Sequence, residues 1–298
     1  MPTLYTQAES NVRKTFLFMT FFLIFVILIG WLLSQAFDSY FPLIIAVVYS
    51  VFQSFISYWY SDKIILSRMK AIPVTQENAK ELYRIVENLC ITAGLPVPKI
   101  YILDEMQPNA FATGRDANHA VIVFTRGLLE KLERSEIEGV AAHELSHIGN
   151  KDMLLQTVTV TLVGVIAILS RIFLRFSFWG GGDDRGGEGY ILFFLGIIGA
   201  ILAPIVAMLI QFAISRKREF LADATGALLT RYPEGLARAL EKISKDQEPL
   251  KVATTSNAHL FIANPFRGKQ QKSFITKLFM THPPIEERIK ALLDMKVG

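Results

Sequence analysis

The sequence predicts an α-helical membrane protein that carries an α+β domain, with four transmembrane helices and a small β-sheet. Hydrophobic residues make up 51% of the 298 residues, which is high for an ordinary soluble protein. These residues are concentrated in four uncharged runs, and the longest segment between runs mixes helical with strand-like patterns. The fold therefore combines membrane helices with a folded domain outside the bilayer.

The four uncharged runs are each long enough, or nearly so, to cross a hydrocarbon core of about 30 Å. They cover residues 15–37, 39–61, 153–170 and 189–215. The first run is too long for a cleavable signal peptide and no small-residue cleavage site follows it, so we expect a retained anchor. The third run is short and rich in Thr and Val, which leaves a buried core helix as its alternative.

The segment between the second and third runs predicts one helix and three strands. Thr75 is placed to cap a helix that stops at Gly94. Short runs rich in β-branched residues follow at 99–103 and 120–125, and residues 109–113 predict a third strand.

The next predicted helix carries a metal-binding pattern. Ser135 and Glu138 form a Ser-x-x-Glu capping box at its start. His143 and His147 follow four residues apart, so they share one helix face and can both bind one metal ion. Glu144 lies about 100° away, where a general base for a metal-activated water is needed. This His-Glu-x-x-His spacing is typical of zinc peptidases, and the alternative is a surface helix with two unrelated histidines.

A catalytic zinc needs a third protein ligand and an open position. Glu219 is the candidate, and Asp223 lies four residues later on the same predicted helix face. Asp223 is then placed to accept the N–H of a ligand histidine. The alternative is a solvated acidic face, which is the usual meaning of an isolated Glu-x-x-x-Asp.

Together these motifs resemble the HtpX-type membrane zinc metalloproteases, gluzincins that are related to the CAAX prenyl proteases. The resemblance covers nearly the full chain, and four motifs follow in family order. They are His143-Glu-Leu-Ser-His147, Glu219-x-x-x-Asp223, Asn109-Ala-Phe-Ala-Thr-Gly114 and Thr281-His-Pro-Pro284 followed by Arg288. The resemblance implies a zincin-like metalloprotease domain with one Zn²⁺ per chain.

The resemblance also implies a substrate-binding strand. Asn109, Ala110, Phe111 and Ala112 match the segment that forms a strand at the edge of the sheet in these enzymes. An unpaired edge holds an extended peptide by backbone hydrogen bonds. An ordinary strand inside the sheet is the alternative.

His282 is the candidate donor to the oxyanion, by its similarity to the His-Pro signature near the C-terminus of the family. Its alternative role is a helix N-cap before two prolines, and His259 is the second candidate for the donor. His119 is expected at the surface.

The implied activity is hydrolysis of peptide bonds in misfolded or damaged membrane proteins at the cytoplasmic face, as part of quality control and the stress response. A CAAX prenyl protease shares the zinc residues but resembles a longer chain with more membrane spans. A non-catalytic membrane scaffold is the alternative of another class, and the intact Glu144 argues against it.

Charge placement predicts orientation and partners. Basic residues precede the first run and follow the second and fourth, whereas the turn at Asp38 carries none. We therefore expect a multi-pass protein of the plasma or inner membrane with both termini and the catalytic segment in the cytoplasm. Arg171, Arg175 and Arg185 on the other side weaken this bias. The net charge of +4 suits an anionic bilayer and gives no case for nucleic acid, and Cys90, the single cysteine, agrees with a reducing compartment.

The predicted organisation has four parts. Residues 1–62 form an N-terminal transmembrane hairpin, and residues 63–152 form the first part of the catalytic domain. Residues 153–215 form a second transmembrane hairpin, and residues 216–298 form the second part of the catalytic domain, with the third metal ligand.

Overall fold

The computed structural model describes residues 4–179, 216–254, 257–266 and 283–295. The predicted fourth run at 189–215 and His282 lie outside these residues. The described part is mainly helical with one small sheet, which confirms the predicted fold class.

Three described helices are long and apolar enough to cross a membrane. Helix α1 (Leu4–Ala36) and helix α2 (Phe41–Trp59) pack against each other as a hairpin. Helix α7 (Asp152–Trp179) packs against both. In its most apolar window 67% of the residues are buried by protein, against 22% in each of the other two. Helix α7 is thus the inner helix, and α1 and α2 keep most of their apolar surface exposed.

Helix α7 extends beyond its predicted end at residue 170, because Arg171 and Arg175 do not interrupt it. Arginine is a good helix former. A charged residue therefore marks where an apolar run ends rather than where the helix ends.

A short helix, α3 (Ser61–Met69), leads from the hairpin into a four-stranded sheet. The strands are β1 (Ile72–Val74), β2 (Lys99–Leu103), β3 (Ala110–Thr113) and β4 (Val121–Thr125), in the order β1-β2-β4-β3. Strands β2 and β4 are parallel and the other two pairs are antiparallel. The three predicted strands are confirmed to within one residue. Strand β1 was not predicted, because it is three residues long, largely exposed and contains Pro73, which is tolerated at a sheet edge.

The predicted cap at Thr75 is wrong. Helix α4 (Lys80–Ala93) begins later, since residues 75–79 form a separate turn. The Thr75 amide donates to the Asn78 side-chain oxygen at 2.8 Å, and the Ala79 amide donates to the Thr75 carbonyl. The predicted stop is confirmed, because Gly94 adopts a left-handed φ of 65°.

The helix that carries the histidines, α6 (Arg134–Gly149), follows the short helix α5 (Arg126–Lys131). The predicted capping box of Ser135 and Glu138 is also wrong, because α6 begins earlier and Glu133 and Glu136 form the box instead. Ser135 accepts a bond from Arg238, and Glu138 accepts one from Arg134. Helix α6 ends at Gly149, two residues after the second histidine.

Helices α8 (Arg216–Thr230), α9 (Pro233–Lys245) and α10 (Ile285–Leu293) complete the described chain. They share one apolar core with α4, α6 and the sheet. The buried residues of this core come from the parts of the chain before and after α7. Examples are Val86, Ile122, Val140, Leu145, Ala227, Leu240 and Leu292. This core fixes α6 beside α8, the helix that carries Glu219.

Candidate metal centre and active site

Three potential metal ligands converge between α6 and α8. The Nε2 atoms of His143 and His147 lie 3.2 Å apart. Glu219 oxygens lie 3.9 Å from the His143 Nε2 and 3.7 Å from the His147 Nε2. Metal–ligand distances of about 2.0–2.2 Å at tetrahedral angles place donor atoms about 3.3–3.6 Å apart. The two imidazoles have about this spacing, and the two Glu219 oxygens lie slightly beyond it, so a small movement of Glu219 would complete a three-ligand site for one ion.

All three side chains are buried, with 0%, 5% and 1% exposure for His143, His147 and Glu219. Two imidazole nitrogens that face each other and a carboxylate at this depth are unfavourable without a cation between them. Among the described residues, this is the group of histidine and acidic side chains that is placed to hold a metal ion. The predicted ligands are thus brought together from elements 70 residues apart.

Glu144 lies beside this cluster and is also buried. Burial raises the pKa of its carboxyl group to about 7, and a hydrogen bond from the Ala112 amide opposes that rise. A carboxyl group with this pKa can accept and return a proton near neutral pH. Its contact with Ala112 also joins the candidate base to strand β3.

Asp223 lies behind His143. Its Oδ1 is 2.9 Å from the His143 Nδ1, and Arg288 donates two bonds to the same carboxylate at 2.8 and 2.7 Å. Burial would raise the pKa of Asp223, but the Arg288 guanidinium and the hydrogen bond with His143 together outweigh it and lower that pKa to about 2. The carboxylate therefore stays charged and turns the His143 Nε2 towards the metal position.

Asp152 has the equivalent place behind His147, and it was not predicted. Its Oδ2 lies 3.2 Å from the His147 Nδ1, and the side chain is fully buried at the start of α7. From sequence this residue is only the charged boundary of an apolar run. Its position five residues after His147 is the one signal that pointed to the metal site.

Strand β3 is an edge strand of the sheet formed by the described residues. The Ala110 carbonyl accepts a bond from the Ile262 amide at 3.0 Å. The Asn109 side chain donates to the Ala263 carbonyl at 3.2 Å. Two of the four predicted substrate-binding residues therefore bond to residues 262–263 of the same chain. The Ala112 amide instead faces Glu144.

The other histidines have different places. His259 is buried on a 3-10 turn (Ala258–Leu260) that packs against β3 and α7. His119 is exposed as expected and lies 2.7 Å from Asp116. The predicted oxyanion donor His282 lies outside the described residues, next to the buried Pro283.

The chain is similar to known peptidases. A family model described as peptidase family M48 matches residues 76–296. A protease HtpX homolog from Caldanaerobacter subterraneus subsp. tengcongensis is 45% identical, with 99% of each chain covered. A protease HtpX homolog from Pyrococcus furiosus is 48% identical over 86% of this chain and 88% of its own. The crystal structure of S. mikatae Ste24p is 20% identical with a TM-score of 0.47. That match covers 96% of this chain, which spans 66% of the Ste24p chain.

Proposed function

This chain belongs to peptidase family M48 and is a membrane metalloprotease, and we propose that it is a zinc endopeptidase with one Zn²⁺ per chain. We further propose that it cleaves misfolded or damaged membrane proteins at the cytoplasmic face of the cell membrane, in quality control and the stress response. The proposal of a zinc endopeptidase is supported most by the buried cluster of His143, His147 and Glu219, with Glu144 beside it.

The donor set favours zinc over other common metals. Two imidazoles and one carboxylate within reach of one ion suit Zn²⁺, whereas Mg²⁺ and Ca²⁺ take six or more oxygen ligands. His143, His147 and Glu219 would hold the ion. When bound, zinc supplies a Lewis acid that lowers the pKa of its water towards about 7.

Glu144 is the proposed general base. Its carboxylate takes the proton of the attacking water and then passes it to the leaving amine. Its buried position beside the proposed ligands places it to carry out both steps. The developing oxyanion needs a further donor. We propose His282 as this donor from the family resemblance. Arg288, six residues after His282, is held in place by its bond to Asp223.

The proposed substrate runs extended along β3. That strand lies at a sheet edge, and its Ala112 amide contacts the proposed base. Because Ala110 already bonds to Ile262, a peptide would add to this edge beside Ala112, which places its scissile carbonyl next to Glu144 and the proposed ligands. Unfolded segments fit this requirement because they can become extended, whereas packed loops cannot.

The location next to the bilayer rests on chain geometry. His147 precedes the start of α7 at Asp152 by five residues, which span about 18 Å at most. The predicted fourth run ends four residues before Glu219. The metal centre is therefore proposed to lie at the membrane surface, where loops of other membrane proteins are the available substrates.

The test is a cleavage map in proteoliposomes. The purified full chain would be combined with a two-span model substrate, in a stable form and in a form destabilised by a core substitution. Glu144→Gln is the matched inactive control. We expect zinc-dependent cuts in the cytoplasmic loop, mainly in the destabilised form. Cuts confined to the opposite face or the bilayer core would overturn the proposal.

A second arm separates this function from a CAAX prenyl protease. The same enzyme would be given a short C-terminal peptide with and without a farnesyl group. We expect no requirement for the lipid. Cleavage of the farnesylated peptide alone would replace the proposed function, and absence of any hydrolysis with zinc bound would favour a scaffold.

A further inference from the structure

Asp152 connects the candidate metal centre to the first membrane helix. Its Oδ2 faces the His147 Nδ1 at 3.2 Å, and its Oδ1 accepts a bond from the Asn11 side chain at 2.7 Å. The Arg218 guanidinium lies 3.5 Å from the same Oδ1. One buried carboxylate thus joins α6 and α7 with α1 and with α8.

The side-chain amide of Asn11 donates two hydrogen bonds. Its Nδ2 donates to Asp152 and also to the Asn150 carbonyl at 3.1 Å, so it contacts the chain on both sides of the turn between α6 and α7. The side chain is only 2% exposed. It is a buried polar group with specific partners about 140 positions away in sequence.

The packing of α1 fixes the height of Asn11 relative to the metal centre. One apolar cluster contains residues from α1 and α7, including Phe22, Val26, Leu154, Val158 and Leu162. Sliding α1 by one turn would break this cluster and the two bonds of Asn11 together. The packing of α1 on α7 therefore fixes the position of Asn11 relative to the turn after His147.

The contact between Asn11 and Asp152 affects how His147 can bind a metal ion. For the His147 Nε2 to bind a metal, Nδ1 must carry the proton and needs an acceptor. Asp152 is that acceptor, and its carboxylate can rotate unless the other oxygen is held. The bond from Asn11 holds it at good geometry, whereas the Arg218 contact is at the limit of a hydrogen bond.

We propose that Asn11 is a positioning residue of the metal centre. Through Asp152 it fixes the orientation of His147, so the first membrane helix sets the metal affinity of the peptidase site. This inference depends on the proposed function only in that the site binds zinc.

The test measures zinc affinity of the full chain in detergent, by competition with a chromophoric chelator. Loss of a group that bonds to a metal ligand typically weakens metal binding about 10–100-fold, and because Asn11 acts one contact further out we expect a loss of up to about 10-fold for Asn11→Ala. The matched control is Ser34→Ala, which removes another buried polar group of α1, whose hydroxyl donates to the Trp31 carbonyl of its own helix. The control should bind zinc like the parent chain.

Two further readouts separate positioning from a loss of stability. The visible spectrum of the Co²⁺-substituted protein reports ligand geometry, and we expect it to change in Asn11→Ala but not in Ser34→Ala. In the Asp152→Asn background, the effect of Asn11→Ala on zinc affinity should largely disappear, because the two residues act through one contact. Asn11→Asp keeps the side-chain shape but places a carboxylate against Asp152, so it should bind zinc more weakly than Asn11→Ala.

An Asn11→Ala protein with the zinc affinity and cobalt spectrum of the parent chain would overturn the inference, even if it unfolds at lower temperature. Fully additive effects of Asn11→Ala and Asp152→Asn would also overturn it. If Asn11→Ala does not fold, the same comparison is made with Asn11→Ser, which keeps a small polar side chain but is too short to maintain both bonds. A parent chain that does not bind zinc would instead refute the proposed function.

Discussion

Each charged group around the metal centre is buried together with a particular partner. Asp223 lies between His143 and Arg288, and Asp152 lies between His147 and Asn11. Removing one member of such a pair leaves the other desolvated, which is far more unfavourable than loss of a surface contact. Substitutions of the ligands, of the base and of the residues behind the ligands should therefore have different effects on zinc affinity and on turnover.

Glu144→Gln should bind zinc like the parent chain and lose turnover by about 10²–10⁴ or more, because the ligands remain and the base is removed. Metal content by atomic absorption and hydrolysis of a casein substrate would be measured on one preparation. Activity equal to the parent chain would remove Glu144 from the mechanism.

Glu219→Ala should instead lose zinc affinity, since Glu219 supplies the third donor. The matched control is Glu130→Ala, which removes an exposed carboxylate from the short helix α5. Zinc titration of both variants should show a loss in the first alone. Full zinc occupancy in Glu219→Ala would point to another third ligand.

His282→Ala should lower kcat with zinc retained, because loss of one oxyanion donor reduces rates by about 10²–10³. KM for a peptide substrate should change little, since the donor acts mainly on the transition state. An unchanged kcat would return His282 to a capping role and make His259, buried beside β3, the next residue to test.

The metal geometry also depends on how closely two helices approach. Gly226 on α8 faces the backbone of α6, and a Cβ added there would lie 3.0 Å from the His143 amide nitrogen. A side chain at this position pushes Glu219 and His143 apart, because neither backbone can give way without moving a ligand.

Gly226→Ala should therefore weaken zinc binding and lower stability by about 1–3 kcal/mol, a typical effect of overpacking. Gly164→Ala is the matched control, since it makes the same change within a helix where a Cβ meets no atom within 4 Å. Alanine favours a helix at both positions, so any difference between the variants reports the steric contact. Equal zinc affinity in the two would contradict the prediction.

Local patterns were sufficient for most elements, and tertiary contacts explain where they failed. The strands at 99–103 and 121–125 follow from β-branched runs, and the His143–His147 pair follows from helix spacing. Thr75 failed as a cap because its turn is closed by Asn78. Asp152 and Asn11 could not be paired from sequence, since only the packing of α1 on α7 brings them together.

At the scale of the whole molecule, the apolar surface separates the two parts of the chain. The large exposed apolar side chains lie mostly on α1 and α2, for example Leu17, Ile24, Val48 and Phe52. The apolar side chains of the core around α6 are instead buried. A lipid environment removes the cost of exposing the side chains on α1 and α2, so we expect this surface to lie in the bilayer and the sheet to lie outside it.

The orientation of that arrangement can be tested by thiol labelling, because the chain provides its own unreactive background. Cys90 is the one cysteine, it is 1% exposed, and burial raises its pKa to about 11. A membrane-impermeant maleimide, which reacts with exposed thiolates, should leave the parent chain unlabelled in sealed vesicles. Ser39→Cys probes the turn between α1 and α2, and Glu77→Cys probes the turn before α4, both at exposed positions.

The charge pattern predicts that Glu77→Cys is labelled from the cytoplasmic side alone and Ser39→Cys from the opposite side alone. Ile24→Cys, exposed on the middle of α1, should stay unlabelled from either side because lipid covers it. Its labelling after solubilisation and unfolding would show that the thiol is intact. Labelling of positions 39 and 77 from one side would mean that α2 does not cross the bilayer. Labelling of position 77 from the side opposite the cytoplasm would reverse the orientation and, with it, the face at which substrates are cleaved.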